Sequence, residues 1–174
     1  MKGFKAIKYG LLCGLLLACS CPAFAQILSA TIGVNGLTCS QCSRSVEMSL
    51  RRLPFVQKVD MNLAHTQGTV YFKQGKPINL EALAQAPRDA GFSTRFVRIR
   101  LDLSAIHPGE RCFVYQGKAF YFLQPLQKQQ RSAIMGFQII AKGFLTDKEW
   151  RTYTFKPDSL CSASEKYYLK PLSD

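Results

Sequence analysis

The hydrophobic pattern changes period several times along the chain, and each change marks an element. Residues 27–34 are apolar and β-branched and predict a first strand. From 42 to 53 the period becomes helical. Val46, Leu50 and Leu53 fall at i, i+4 and i+7, while Arg44, Glu47, Arg51 and Arg52 lie off that stripe. Pro54 ends the helix. Residues 55–63 alternate, with Phe55, Val59, Met61 and Leu63 on one face and Lys58, Asp60 and Asn62 on the other. A turn over 64–68 leads to a third strand at 69–73. Asn79 is a good N-cap for a second helix, and Ile78 can staple onto Leu83. Leu80, Leu83 and Ala84 form its buried stripe, and Gly91 suits its C-terminal cap. Pro87 interrupts that stripe and is expected to kink or loosen the helix. Residues 93–103 then predict a fourth strand.

The order β-α-β-β-α-β predicts an α+β, ferredoxin-like sandwich over residues 26–103, with two helices on one face of an antiparallel sheet. That topology gathers the loop after the first strand, the turn carrying His65 and the loop carrying Phe92 at one end. Beyond Ser104 the pattern becomes strand-rich. Segments 111–115 and 119–123 read as a hairpin through Gln116-Gly117-Lys118. Further strands are expected at 133–141, 150–155 and 167–169, with one short helix candidate at 146–150. Residues 104–174 are therefore expected to form a small all-β domain, a barrel or a sandwich.

The N-terminal residues belong to a different category. Lys2, Lys5 and Lys8 precede an apolar run at 9–18, and Ala23-Phe24-Ala25 supplies a cleavage pattern. Residues 1–25 read as an export signal, too short in their apolar part to span a bilayer. An alternative reading takes Leu16-Leu17-Ala18-Cys19 as a lipoprotein box with a lipid anchor on Cys19. Both place the protein in the periplasm or otherwise outside the cytoplasm. Removing the three leader lysines from the formal net charge of +12 leaves +9. No basic run interleaved with aromatics accompanies that excess, which argues against nucleic acid.

Cysteine usage follows from export. Cys13, Cys19 and Cys21 lie in the leader, leaving Cys39, Cys42, Cys112 and Cys161. An oxidising compartment permits disulfides, and four cysteines allow three pairings. The preferred one joins Cys112 to Cys161 and reserves Cys39 and Cys42 for chemistry. Those two sit in Gly36-Leu37-Thr38-Cys39-Ser40-Gln41-Cys42, between a strand and a helix. A helix N-terminus favours negative charge and so eases thiolate formation. A thiolate pair selects soft cations such as Cu(I).

Residues 28–97 resemble a heavy-metal-associated domain, the module of copper chaperones, metal-ATPase N-terminal domains and periplasmic mercury-binding proteins. The resemblance is carried by 36–42, by Ser45-Val46-Glu47 and Leu50, by Phe55-Val56 and Val59, and by Asp89-Ala90-Gly91-Phe92. It implies that Cys39 and Cys42 are the metal ligands, that Thr38 shapes the loop, and that Phe92 shields the site. Leu37 replaces the family's usual Met at a position that packs under the loop. Two sulfurs suit Cu(I), or less favourably Hg(II); Zn(II) wants four ligands. His65 is a candidate third ligand, weighed against an exposed turn residue; His107 reads as a linker residue. The expectation is an exported, non-enzymatic soft-metal protein for carriage, buffering or sensing, served by a metal-donor or metal-acceptor partner. Two alternatives stand: a thiol–disulfide redox protein, and an envelope interaction module in residues 104–174 regulated by metal or redox state.

Overall fold

The computed structural model describes residues 26–107, 109–126, 134–155 and 160–172. The expected export signal and the Cys19 lipid anchor lie outside the described residues. The first half folds as β1 (Gln26–Asn35), α1 (Ser40–Arg51), β2 (Val56–Asn62), β3 (Gln67–Phe72), α2 (Leu80–Asp89) and β4 (Ser93–Asp102). Its strands pair antiparallel in the order β2-β3-β1-β4, as the ferredoxin-like reading requires. Both helices bury an amphipathic stripe: Val46 and Leu50 from α1, and Leu80, Leu83 and Ala84 from α2, enter one core with Ala30, Ile32, Val59, Val70, Val97 and Ile99.

One local expectation changes. Leu63 is 44% exposed, not buried. A register shift between Val56 and Lys58 inserts a bulge into β2, so Val56 and Val59 both reach the core and the simple alternation from Phe55 is lost. Pro87, expected to kink or loosen α2, lies inside the helix, which runs on to Asp89. It stands in the last turn, and its own carbonyl accepts the Phe92 N–H at 2.9 Å. Hydroxyls tie this helix down: Thr94 Oγ1 donates to the Ala84 carbonyl at 2.7 Å and Ser49 Oγ to the Ala86 carbonyl at 2.7 Å.

The second half adds β5 (Cys112–Tyr115), β6 (Lys118–Phe122), β7 (Ile134–Ile140), α3 (Asp147–Trp150) and β8 (Glu165–Pro171). The expected separate barrel or sandwich is replaced by a continuation of the first sheet. The described strands form one eight-stranded sheet, β2-β3-β1-β4-β7-β8-β6-β5. The physical reason is the edge of β4. Left open, it would present a row of unpaired N–H and C=O groups. β7 takes them up from Arg98 to Asp102, and brings Phe137 and Ile139 onto the same buried face as Ile99 and Leu101. Phe120, Phe122, Tyr167 and Leu169 extend that face.

The β5–β6 turn has the backbone expected of a tight hairpin, with positive φ at both Gln116 (49°) and Gly117 (77°). The strand expected at 150–155 is absent. There the N–H groups of Arg151, Thr152 and Tyr153 bond back to Asp147, Glu149 and Trp150, and none of the three is left for a ladder. This segment lays Trp150, Tyr153 and Phe155 against Phe96, Ile140 and Leu145 in a second, smaller apolar cluster.

Candidate functional site

The site is built where β1 stops. Gly36 turns the chain with φ +85°, a conformation L side chains rarely adopt. The Thr38 N–H bonds back to the Gly36 carbonyl at 2.9 Å. Leu37, only 4% exposed, anchors the loop in the core beneath it. Cys39 is the N-cap of α1, with extended backbone (φ −143°, ψ 159°). Its Sγ accepts the Cys42 N–H at 3.1 Å, and its carbonyl takes the Ser43 N–H at 3.1 Å. A sulfur thus fills the place usually taken by a Ser or Asp oxygen at a helix start. The first turn of α1 carries no acid, so the positive end of the helix is not offset by a carboxylate there. Cys39 is exposed, and Cys42 is partly buried against the core.

Cys39 and Cys42 are joined by a disulfide, with Cα atoms 5.2 Å apart. Cys112 and Cys161 form a second disulfide across a sequence separation of 49, at the far side of the sheet from β1. The Tyr121 hydroxyl donates to the Cys161 carbonyl at 2.6 Å.

The neighbouring loops gather at the same end. The Val34 N–H bonds to the Thr66 carbonyl at 2.9 Å, which ties the β2–β3 turn to the end of β1. Phe92 lies over the loop, with its Cδ1 3.6 Å from where a Cβ on Gly36 would sit. His65 is in this turn, exposed, with its N–H on Asn62 Oδ1. It does not join the cysteines: among the described residues, no three His, Cys, Asp or Glu side chains converge as a metal would need. His107 pairs with Glu110 at 3.2 Å on an exposed stretch. Met48 is exposed on α1, and Met61 packs against the core. Arg51 is held by Glu47 at 2.7 Å, whereas Arg44 and Arg52 are exposed.

Two features near the site had no counterpart in the hydrophobic pattern. β4 carries a register shift opposite Gly33–Val34, and there Arg95 donates from Nη2 to the His65 carbonyl at 2.9 Å and to Thr66 Oγ1 at 3.0 Å. Arg95 and Arg98 lie over the Phe96 ring, 4.9 and 4.0 Å from its centroid. The loop after β7 also reaches this end. Gly143 accepts from Arg88 Nη2, and a cleft of about 450 Å³ opens between Asn35, Ser93, Lys142 and Asp147. Such placements depend on long-range packing, which periodicity does not carry.

Comparison with known proteins bears on the same segment. Residues 31–93 match the family model of the heavy-metal-associated domain. The chain is 32% identical over 77 residues to a mercuric transport protein periplasmic component of Acinetobacter calcoaceticus, covering 44% of this chain and 84% of that protein. It is 36% identical over 83 residues to copper-transporting ATPase 1 of Rhizobium meliloti (strain 1021), covering 47% of this chain but only 10% of the ATPase. Among solved structures, oxidized MerP from Ralstonia metallidurans CH34 aligns at 31% identity and a TM-score of 0.36, over 41% of this chain and 94% of that one.

Proposed function

The chain belongs to the heavy-metal-associated domain family through residues 31–93, and on that premise we propose that it binds one soft metal ion, Cu(I) foremost, between Cys39 and Cys42. The observation that carries this reading is the sulfur pair itself. Both sulfurs sit at the start of α1, within bonding reach of each other, with no third protein ligand converging among the described residues. Two thiolates satisfy a soft ion that accepts two-coordination; they do not complete a four-ligand zinc site. Hg(II) shares the preference, and Zn(II) fits less well. The metal is cargo here, carried, buffered or sensed. Reduction must come first, because only thiolates ligate.

Transfer then proceeds by ligand exchange. A thiolate of a donor or acceptor protein attacks the bound ion, and one cysteine leaves before the other. The exposed Cys39 suits the first exchange, and the partly buried Cys42 holds the ion meanwhile. The leader pattern of residues 1–25 and the periplasmic relatives support a place outside the cytoplasm. No helix among the described residues is long and apolar enough to cross a membrane.

The test is anaerobic. The reduced protein competes with a Cu(I) chelator and takes up one equivalent, while the Cys39→Ser, Cys42→Ser double variant and the oxidised protein take up none. Unchanged uptake by the double variant refutes the assignment. The Cys39–Cys42 bond favours one second reading, thiol–disulfide exchange at the same pair. That reading requires the oxidised protein to oxidise dithiols catalytically, at a rate well above a small-molecule disulfide.

A further inference from the structure

The sheet has two faces: α1 and α2 cover one, and the short α3 reaches the other only through Trp150 and Glu149 near Phe96 and Gln138. Ala30, Ile32, Val97, Ile99, Leu101, Phe137, Ile139 and Leu169 point into the main core. Successive side chains on a strand alternate, so Arg98, Arg100 and Lys170 project from the opposite face. The register places them side by side. Arg98 stands opposite Gln138, which stands opposite Lys170, and Arg100 stands opposite Gly136. On the other flank of β1, Tyr71 stands opposite Ser29 and Lys58.

The aromatic segment around Trp150 covers this face only at the end where Phe96 lies. Away from it, Arg100 and Lys170 are exposed, with Tyr71 at 40% and Ile134 at 39% beside them. Three acids share the neighbourhood: Asp60 is ion-paired with Lys58 at 2.8 Å, whereas Asp102 and Glu149 accept from neutral donors, the Ser104 N–H and hydroxyl and the Gln138 amide at 3.1 Å, so the excess of positive charge rests on Arg98, Arg100 and Lys170. Six strands at about 4.8 Å spacing put Lys58 and Lys170 roughly 24 Å apart.

We propose that this open sheet face is a docking surface for an anionic phospholipid bilayer. The occupant follows from the mixture. Guanidinium and ammonium groups attract anionic headgroups, and a tyrosine ring sits well at the headgroup boundary. A broad face of spaced cations and single apolar side chains matches a bilayer surface, and the chain beyond its leader carries +9 in net charge. Docked this way, the strands lie along the membrane. The Cys39–Cys42 loop, at the strand ends, then opens sideways at membrane level. The proposal does not depend on which ion that loop takes.

Sedimentation of the full chain with vesicles tests it. Vesicles of phosphatidylcholine alone are compared with phosphatidylcholine–phosphatidylglycerol mixtures at low and high salt. The expected result is salt-sensitive binding to the mixed vesicles only. Arg100→Glu with Lys170→Glu weakens it at least about tenfold, while Arg100→Lys with Lys170→Arg keeps it. Circular dichroism reports folding, and Arg100→Gln with Lys170→Gln replaces the charge-reversed pair if that pair fails to fold. Equal binding to neutral vesicles overturns the proposal, as does binding indifferent to these variants, which would assign attachment to the apolar residues 9–18. Capture by polyglutamate without capture by vesicles overturns it in favour of an acidic protein partner.

Discussion

Gly33 lies under the Phe96 ring, and a Cβ there would fall well inside contact distance of three ring carbons. The ring has little freedom to retreat. It is 8% exposed, stacked by Arg98, and seated in the second apolar cluster. Gly33→Ala is therefore an overpacking change, expected to cost about 1–3 kcal/mol. A lower urea midpoint at unchanged slope would show it. Tyr115 makes a different residue-scale statement. Burial raises its phenol above the ordinary value of 10.0, with a smaller opposing effect from the Ile27 backbone. The folded state thus holds the proton longer than the unfolded state. The stabilising contribution is whole below pH 10 and is lost as pH rises through the higher folded value. Tyr115→Phe should flatten that part of the alkaline stability curve, read as thermal midpoint against pH.

At the scale of elements, most boundaries were legible because their signals are local. Asn79 accepts the Ala82 N–H on Oδ1 at 2.8 Å, as a cap residue should. Asn79→Ala leaves that donor unpaired and should cost about 1 kcal/mol, visible as an earlier thermal transition. Thr146 caps α3 in the same way. The two failures share a cause. Leu63 was assigned inward by strict alternation, but β2 ends at Asn62 and Leu63 falls in the turn beyond it, where its carbonyl accepts the Thr66 N–H at 3.1 Å. Residues 150–155 read as a strand because they are aromatic, but that composition serves a cluster, not a ladder. Neither the last residue of a strand nor a choice between two buried roles leaves a mark in period.

For the whole molecule, the join between β4 and β7 matters most. Expected halves became one sheet and one main core. A chain ending at residue 103 keeps the four strands and two helices that match relatives of similar size. It also bares β4 from Arg98 to Asp102 and uncovers Phe96. Such a truncated chain should still take up soft metal when reduced, yet self-associate through the open edge. Light scattering against concentration would reveal this; a strictly monomeric truncation would show that β7 protects nothing.

The amino-acid order alone determined the six elements of the first half, the caps of the second helix and the loop that presents Cys39 and Cys42. These are set by neighbours within a few residues, where period, proline and glycine act directly. Tertiary structure alone decided that β7 completes the β4 edge, that His65 stays apart from the sulfurs, and that Arg95 grips the neighbouring turn. Those outcomes depend on register between segments far apart in the chain, and no local pattern encodes which distant edge a strand will meet.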